Sequence, residues 1–262
     1  MRVVLGIEYD GRPYCGWQSQ ANGQTLQDAL QDALGQLTGE SISVVAAGRT
    51  DTGVHALEQV IHFDTRAERP LTAWVRGVNS FLPESIVVKW AQPVDEEFHA
   101  RFSARGRSYR YLLNNRNTRP ALNIGRVGWF HAPLDEHAMA AAARFLLGEH
   151  DFSAFRAAQC QARSPVKHIY NLDIHRQGQM LIIDISANAF LHHMVRNIVG
   201  CLVYVGKGKY PPEWLAEVVA GRDRSLAAPT FAPDGLYLRH INYESKWSLP
   251  QLDIPGASGI ML

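Results

Sequence analysis

Ala46-Ala47-Gly48-Arg49-Thr50-Asp51-Thr52-Gly53-Val54-His55-Ala56 sets one carboxylate in a short polar turn, between the apolar runs at 42–47 and 60–63. Two strands flanking an aspartate loop are therefore expected. Gly48 and Gly53 are expected to take positive φ, tightening the turn and bringing Asp51 close to a bound partner. Arg49, two residues earlier, can fold over the carboxylate, and an adjacent guanidinium favours an anionic nucleophile over a proton donor. The plainer alternative is an aspartate that only caps its own backbone.

Outward from this turn, the elements fall into a repeated order. Residues 3–9 read as a strand, followed by the glycine-punctuated loop 9–20, Tyr-Asp-Gly-Arg-Pro-Tyr-Cys-Gly-Trp-Gln-Ser-Gln. Leu26, Ala29, Leu30, Ala33, Leu34 and Leu37 then mark an amphipathic helix, capped by Thr25 and stopped at Gly39. Strands at 42–47 and 57–64, a helix over 71–81 and a strand at 86–90 complete a β-α-β-β-α-β order, the ferredoxin-like arrangement. The second half repeats it: a strand at 107–113, a long arginine-rich connection and a helix at 135–147. Two strands follow, with Tyr170, Leu172 and Ile174 on one face of the first and Leu181, Ile183 and Ile185 on one face of the second. A helix carrying Phe190, Leu191, Met194, Val195, Ile198, Val199 and Leu202 precedes a closing strand at 236–243. The expected fold is α+β: two ferredoxin-like halves, 1–100 and 101–244, with antiparallel sheets flanking a basic cleft suited to a polyanion, and an irregular tail at 245–262.

With 262 residues, 46% of them hydrophobic, the chain can bury a full core. It lacks the run of about 18 apolar residues that a membrane span needs and begins directly in a strand pattern, so a cytoplasmic, membrane-free protein is expected. Cys15, Cys160 and Cys201 are too scattered for a disulfide framework or a zinc knuckle. The net charge is only +1, yet residues 98–134 hold seven arginines and no acid. Arg156, Arg163, Lys167, Arg196, Lys207 and Lys209 lie in two further acid-free stretches, 152–172 and 185–212. Such segregation suits a face that meets phosphates.

Six ordered blocks carry a family resemblance. They are Tyr9-Asp10-Gly11 with 16–20, the turn at 47–56, Phe98-His99-Ala100-Arg101-Phe102-Ser103-Ala104 with 107–111, Asp151-Phe152-Ser153-Ala154-Phe155, the run 190–200, and Gly235-Leu236-Tyr237-Leu238. Together they resemble the tRNA pseudouridine synthase A (TruA) family over almost the whole chain. Three departures occur: Thr52 where alanine is usual, Ala187 and Ala189 where glycines are common, and the spacing at 230–234. None removes a residue that the chemistry needs.

The resemblance implies an isomerase that converts uridine to pseudouridine at positions 38, 39 and 40 of the tRNA anticodon stem-loop. It implies tRNA as partner, a homodimer, and neither metal nor organic cofactor. Asp51 would be the nucleophile, by attack on C1′ or C6 of the nucleoside or by promoting elimination. Arg49 would pair with Asp51 and fill the space of the flipped uridine, whose extrusion costs a few kcal/mol. Tyr109 would stack on the target uracil with its hydroxyl near the proton to be moved. Leu236 and Val54 would wall the pocket. Phe98, His99, Ala100, Arg101 and Phe102, with Gln159, Cys160, Gln161, Ala162 and Arg163, would contact RNA.

Other features have plainer readings. His192 and His193 are expected on a helix, in a polar stripe with Arg196 and Asn197 that faces solvent or RNA and holds no metal. Gly206-Lys207-Gly208-Lys209 lacks P-loop spacing and reads as a helix C-cap with phosphate-facing lysines. Of Tyr109 and Tyr111, one is expected in the core. Two rival classes remain. Asp51-Thr52-Gly53 is also the short signature of aspartic proteases, but it occurs once, beside an arginine, in a chain with helical periodicities. A non-catalytic tRNA-binding module would not need the Arg49, Asp51 and Tyr109 set.

Overall fold

In the computed structural model, which describes residues 1–21 and 23–250, the apolar strand that opens the chain becomes an interior strand of a sheet. β1 (Arg2–Tyr9) pairs antiparallel with β3 (His55–Asp64) on one side and with β4 (Ile86–Val94) on the other. The short β2 (Val45–Ala46) adds to β3, so the two strands flanking the Asp51 turn are hydrogen-bonded neighbours. α1 (Leu26–Thr38) forms as its periodicity requires. Leu26, Leu30, Ala33 and Leu34 are buried, the Thr25 hydroxyl accepts from the Asp28 N–H, and Gly39 ends the helix in the left-handed region. The helix expected over 71–81 opens into a π turn at Ala73–Gly77 before the single α turn α2 (Val78–Phe81). That turn carries Trp74 into the core, its ring edge-on to Phe63 at 5.4 Å between centroids.

These elements belong to a compact unit formed by Met1–Arg105 and the segment that starts at Tyr237; the second unit is Gly106–Leu236. The closing strand β10 (Leu236–Tyr243), expected to complete the second half, runs parallel to β3, with Tyr237 opposite His55 and Leu238 opposite Ala56. A fifth strand is thus added to the first unit's sheet, and its ladder with β3 departs from the antiparallel pairing expected. Of the tail, a 3₁₀ turn at Ser245–Trp247 packs Trp247 on Phe98, with 5.2 Å between ring centroids. The remainder from 251 lies outside the described residues.

In the second unit β5 (Ala104–Asn115) pairs antiparallel with β9 (Met180–Ala187), β9 with β8 (Val166–Gln177), and β8 with β7 (Gly148–Asp151). A three-residue strand, β6 (Gly128–Phe130), lies parallel to β5. Ile182 is buried along with Leu181, Ile183 and Ile185, so β9 is covered on both faces and its alternation is lost. A bulge between Ile169 and Asn171 shifts the β8 register, burying Ile169 and leaving Tyr170 55% exposed, against the inward position expected for that tyrosine. α3 (Glu136–Ala143) is capped by Asp135 and continues as a 3₁₀ turn. α4 (Met194–Gly206) is buried on nearly every side, and α5 (Trp214–Gly221) follows. His192 and His193 precede α4, with His193 at φ 63°, and so do not form the helical stripe expected of them. No helix among the described residues is long and apolar enough to cross a membrane.

Candidate active site

Asp51 is half-buried on a turn that the chain closes locally and then braces from a second loop. The Val54 N–H donates to the Asp51 carbonyl at 3.1 Å, and Gly53 takes φ 79° to make that closure. Gly48 has no positive φ; its carbonyl accepts from Gln59 Nε2 at 2.6 Å instead. Against the turn lies the loop that follows β1. The Trp17 N–H donates to the Thr50 carbonyl at 3.0 Å, and the hydroxyls of Tyr9 and Thr50 are 2.7 Å apart. Beyond the turn, buried His55 accepts the Gly11 N–H on Nδ1 at 3.2 Å and stacks on Tyr237 at 4.6 Å. Asp10 lies 3.3 Å from the same nitrogen. Burial raises the Asp10 pKa, but hydrogen bonds from Arg12 outweigh this and hold it below the ordinary carboxylate value. The 9–17 loop is thus the scaffold of the turn, a role the sequence carries only as the spacing of Gly11, Gly16 and Trp17.

Arg49 is exposed on the same turn, two residues before Asp51. Val54 is 1% exposed, so it supports the turn from within and offers little wall to a ligand.

The segment 98–102 divides by burial. Phe98 and Ala100 are fully buried, whereas Arg101 and Phe102 are exposed, Phe102 to 75%. The turn is held by two imidazoles acting as acceptors. His62 Nδ1 takes the Ala100 N–H at 3.1 Å, and His99 Nδ1 takes the N–H groups of Arg101 and Phe102, each at 3.2 Å. Burial, with the nearby Arg2 and His99, lowers the His62 pKa to about 4. Burial and Arg2 lower that of His99 as well. The His99 ring stacks on Phe102 at 4.3 Å, and the Arg101 guanidinium lies 5.6 Å from the Phe102 centroid. Arg101 and Phe102 thus present a guanidinium and an aromatic face together at the surface, a cation–π arrangement.

In the second unit, Tyr109 lies on β5 with its ring edge-on to Phe190 at 5.1 Å. Tyr111 is the core tyrosine: its hydroxyl donates to the Ala232 carbonyl at 2.8 Å, and burial drives its pKa upward. Leu236 is 5% exposed and follows Gly235, whose carbonyl accepts the Leu112 N–H at 2.9 Å. Among 159–163, Gln159, Gln161 and Arg163 are exposed, and Cys160 and Ala162 half-buried. Arg156 shapes this loop, donating to the carbonyls of Cys160 at 2.6 Å and Ala162 at 3.0 Å. Burial would raise the Cys160 pKa, but N–H groups from His192 and Ala162 lower it below the usual thiol value. Arg110, one of the seven arginines of the acid-free stretch, is withdrawn from any RNA-facing role. It is 4% exposed and bound through two 2.8 Å contacts to Asp184 on the neighbouring β9. An open cavity of about 590 Å³, lined by Arg116, His131, Glu136 and Arg176, holds none of the residues expected in the site.

Comparison with known proteins bears on this arrangement. The profile of the family described as tRNA pseudouridine synthase matches residues 6–103 and 142–244. The tRNA pseudouridine synthase A of Dechloromonas aromatica is 63% identical over 250 residues, 95% of each chain. That of Methylobacillus flagellatus is 59% identical over 250 residues, 95% of this chain and 96% of the relative. That of Janthinobacterium sp. (strain Marseille) is 57% identical over 259 residues, 97% and 96% of the two chains. A solved Cbf5-Nop10-Gar1 complex overlays 90% of this chain and 48% of that one with TM-score 0.42 and 8% identity, too distant to assign residues.

Proposed function

Because the chain belongs to the tRNA pseudouridine synthase family, we propose that it isomerises uridine at positions 38, 39 and 40 of the tRNA anticodon stem-loop, with Asp51 as nucleophile. The reaction breaks the N1–C1′ bond, turns the uracil, joins C5 to C1′, and moves a proton from C5 to N1. It is redox-neutral and consumes no water. Asp51 supplies the anion that engages the nucleoside while the base is detached. Arg49, exposed beside it, fills the stack vacated by the extruded uridine, offsetting part of the few kcal/mol that extrusion costs. Tyr109 stacks on the uracil and its hydroxyl assists departure of the C5 proton. Leu236 adds apolar surface that keeps the free base from water. Arg101, Phe102 and the loop 159–163 grip the RNA.

The observation that carries this reading is the bracing of the Asp51 turn by the loop 9–17. It fixes a half-buried carboxylate on backbone contacts that a simple surface cap would not need. The enzyme would act in the cytoplasm as a homodimer, the second copy extending the basic surface available to one tRNA. Sedimentation at micromolar concentration should then give twice the 29.2 kDa chain mass. The decisive assay is tritium release from [5-³H]uridine tRNA. Asp51→Asn preserves shape, should still bind tRNA and should release no tritium. Release within about tenfold of the wild-type rate, only ~1.4 kcal/mol in barrier, would exclude Asp51 as nucleophile.

A further inference from the structure

Two lysines at the end of α4 converge on one aromatic ring. Lys207 follows the helix and sets its ammonium 4.2 Å from the Tyr204 centroid. The chain then turns at Gly208, φ 73°, and the Lys209 N–H returns to the Tyr204 carbonyl at 3.0 Å. This brings the second ammonium also to 4.2 Å from Tyr204 and to 5.2 Å from Tyr210. Tyr210 stacks on Trp214 at 4.2 Å and 18°, and Lys207 lies 6.0 Å from the Phe130 ring. Both lysines are exposed. Neither makes an ion pair among the described residues, although Glu213 is close in sequence. The helix C-terminus accounts for a cation at Lys207. It does not account for Lys209, beyond the turn, brought to the same ring with no carboxylate between the two like charges. The aromatic faces hold both cations in place by the ring quadrupole, so an arriving polyanion finds them already ordered.

We propose that Lys207 and Lys209 on Tyr204, with the Tyr210–Trp214 stack beside them, form an RNA-backbone contact of the second unit, additional to 98–102 and 159–163. The occupant is the phosphodiester backbone of the substrate tRNA, chosen by charge complementarity, and the inference rests on the reading of tRNA as substrate. Clustered cations without counter-charges bind best where phosphates release their condensed counterions. Paired aromatic faces beside them add a sequence-tolerant surface for bases or riboses.

The test compares full-length chains: wild type, the double variant Lys207→Gln/Lys209→Gln, and the double variant Lys207→Arg/Lys209→Arg. Affinity for unmodified tRNA is titrated across salt concentrations, and tritium release is followed in parallel. The glutamine pair should bind roughly tenfold more weakly near 0.15 M salt, and its plot of log affinity against log salt should be shallower by about one to two. Its kcat/KM should fall mainly through KM, and the arginine pair should retain wild-type affinity and slope. Unchanged affinity and slope in the glutamine pair would overturn the proposal. So would an equal loss in the arginine pair, which would assign the effect to packing. A wild-type protein that releases no tritium would instead overturn the proposed function, whatever the lysines do.

Discussion

Gly16 and Thr50 are in backbone contact: a Cβ added to Gly16 would stand 3.0 Å from the Thr50 carbonyl oxygen, and Gly16 holds φ 84°. The same added atom would lie 3.1 Å from the Thr52 nitrogen. The loop after β1 therefore supports the Asp51 turn at a position where only glycine fits both conformation and space. Gly16→Ala should cost about 1–2 kcal/mol for the left-handed backbone alone. Relief of the crowding should come from movement of residues 50–52. Thermal melting should show a folded, weakened protein, while single-turnover tritium release falls much further than tRNA affinity. Wild-type turnover in this variant would mean that the bracing does not position Asp51.

The Arg110–Asp184 pair predicts a different outcome for an arginine of the basic stretch. Arg110→Ala removes two 2.8 Å contacts from the carboxylate of Asp184, which is only 17% exposed on a strand covered on both faces. Breaking such a buried pair costs about 3–5 kcal/mol, whereas replacing both partners by apolar residues is often neutral. Denaturant unfolding should show that loss for Arg110→Ala and recovery of most of it in Arg110→Met/Asp184→Leu. The salt slope of tRNA binding should stay unchanged wherever the variants are folded; a shallower slope would return Arg110 to the RNA interface.

Legibility in the sequence follows how local each determinant is. α1 was readable because Leu26, Leu30, Ala33 and Leu34 share a face and both caps are adjacent in the chain. The Asp51 turn was readable because its flanking apolar runs pair with each other as β2 and β3. The pairing of β10 with β3 is not legible, because β3 lies about 180 residues earlier in the chain and no local pattern selects between candidate neighbours. Tyr170 was misplaced because the bulge that reverses its face comes from pairing with β9. β6, β7 and α5 are too short to register a period. At the candidate site, the glycine-flanked turn points to Asp51 and Arg49 and the family resemblance to Tyr109, but the burial of Val54, Phe98 and Ala100 depends on packing partners distant in sequence.

His62 predicts an acid-sensitive first unit. Its Nδ1 accepts the Ala100 N–H, which requires the neutral ring, and its pKa falls to about 4 from an ordinary 6.5. Below pH 6.5 the unfolded chain takes up this proton more readily than the folded one. Stability is therefore full above about 6.5 and lost as pH falls towards 4. The contribution is about 3 kcal/mol at most. The melting temperature should drop over that window, and His62→Asn, whose Oδ1 can accept the same N–H, should flatten the drop. An equal slope in wild type and variant would move the acid sensitivity elsewhere.

Arg101 and Phe102 offer two contacts of different physics on one turn. Arg101 carries a charge at the surface, so its removal should release fewer counterions on binding. Arg101→Ala should weaken tRNA affinity and reduce the salt slope by about one. Phe102, 75% exposed and stacked on His99, carries no charge. Phe102→Ala should weaken binding by about 1–3 kcal/mol, the usual worth of base–aromatic stacking, at an unchanged salt slope. Phe102→Trp should retain most of the affinity, because a larger ring still presents a face. Both losses should appear in KM more than in kcat, since neither side chain acts on the reacting atoms. Should Phe102→Ala change the slope as much as Arg101→Ala, the phenylalanine would be serving only to hold the guanidinium, 5.6 Å from its ring. Unchanged affinity in both variants would remove the 98–102 turn from the RNA interface and leave the assignment of Asp51 intact.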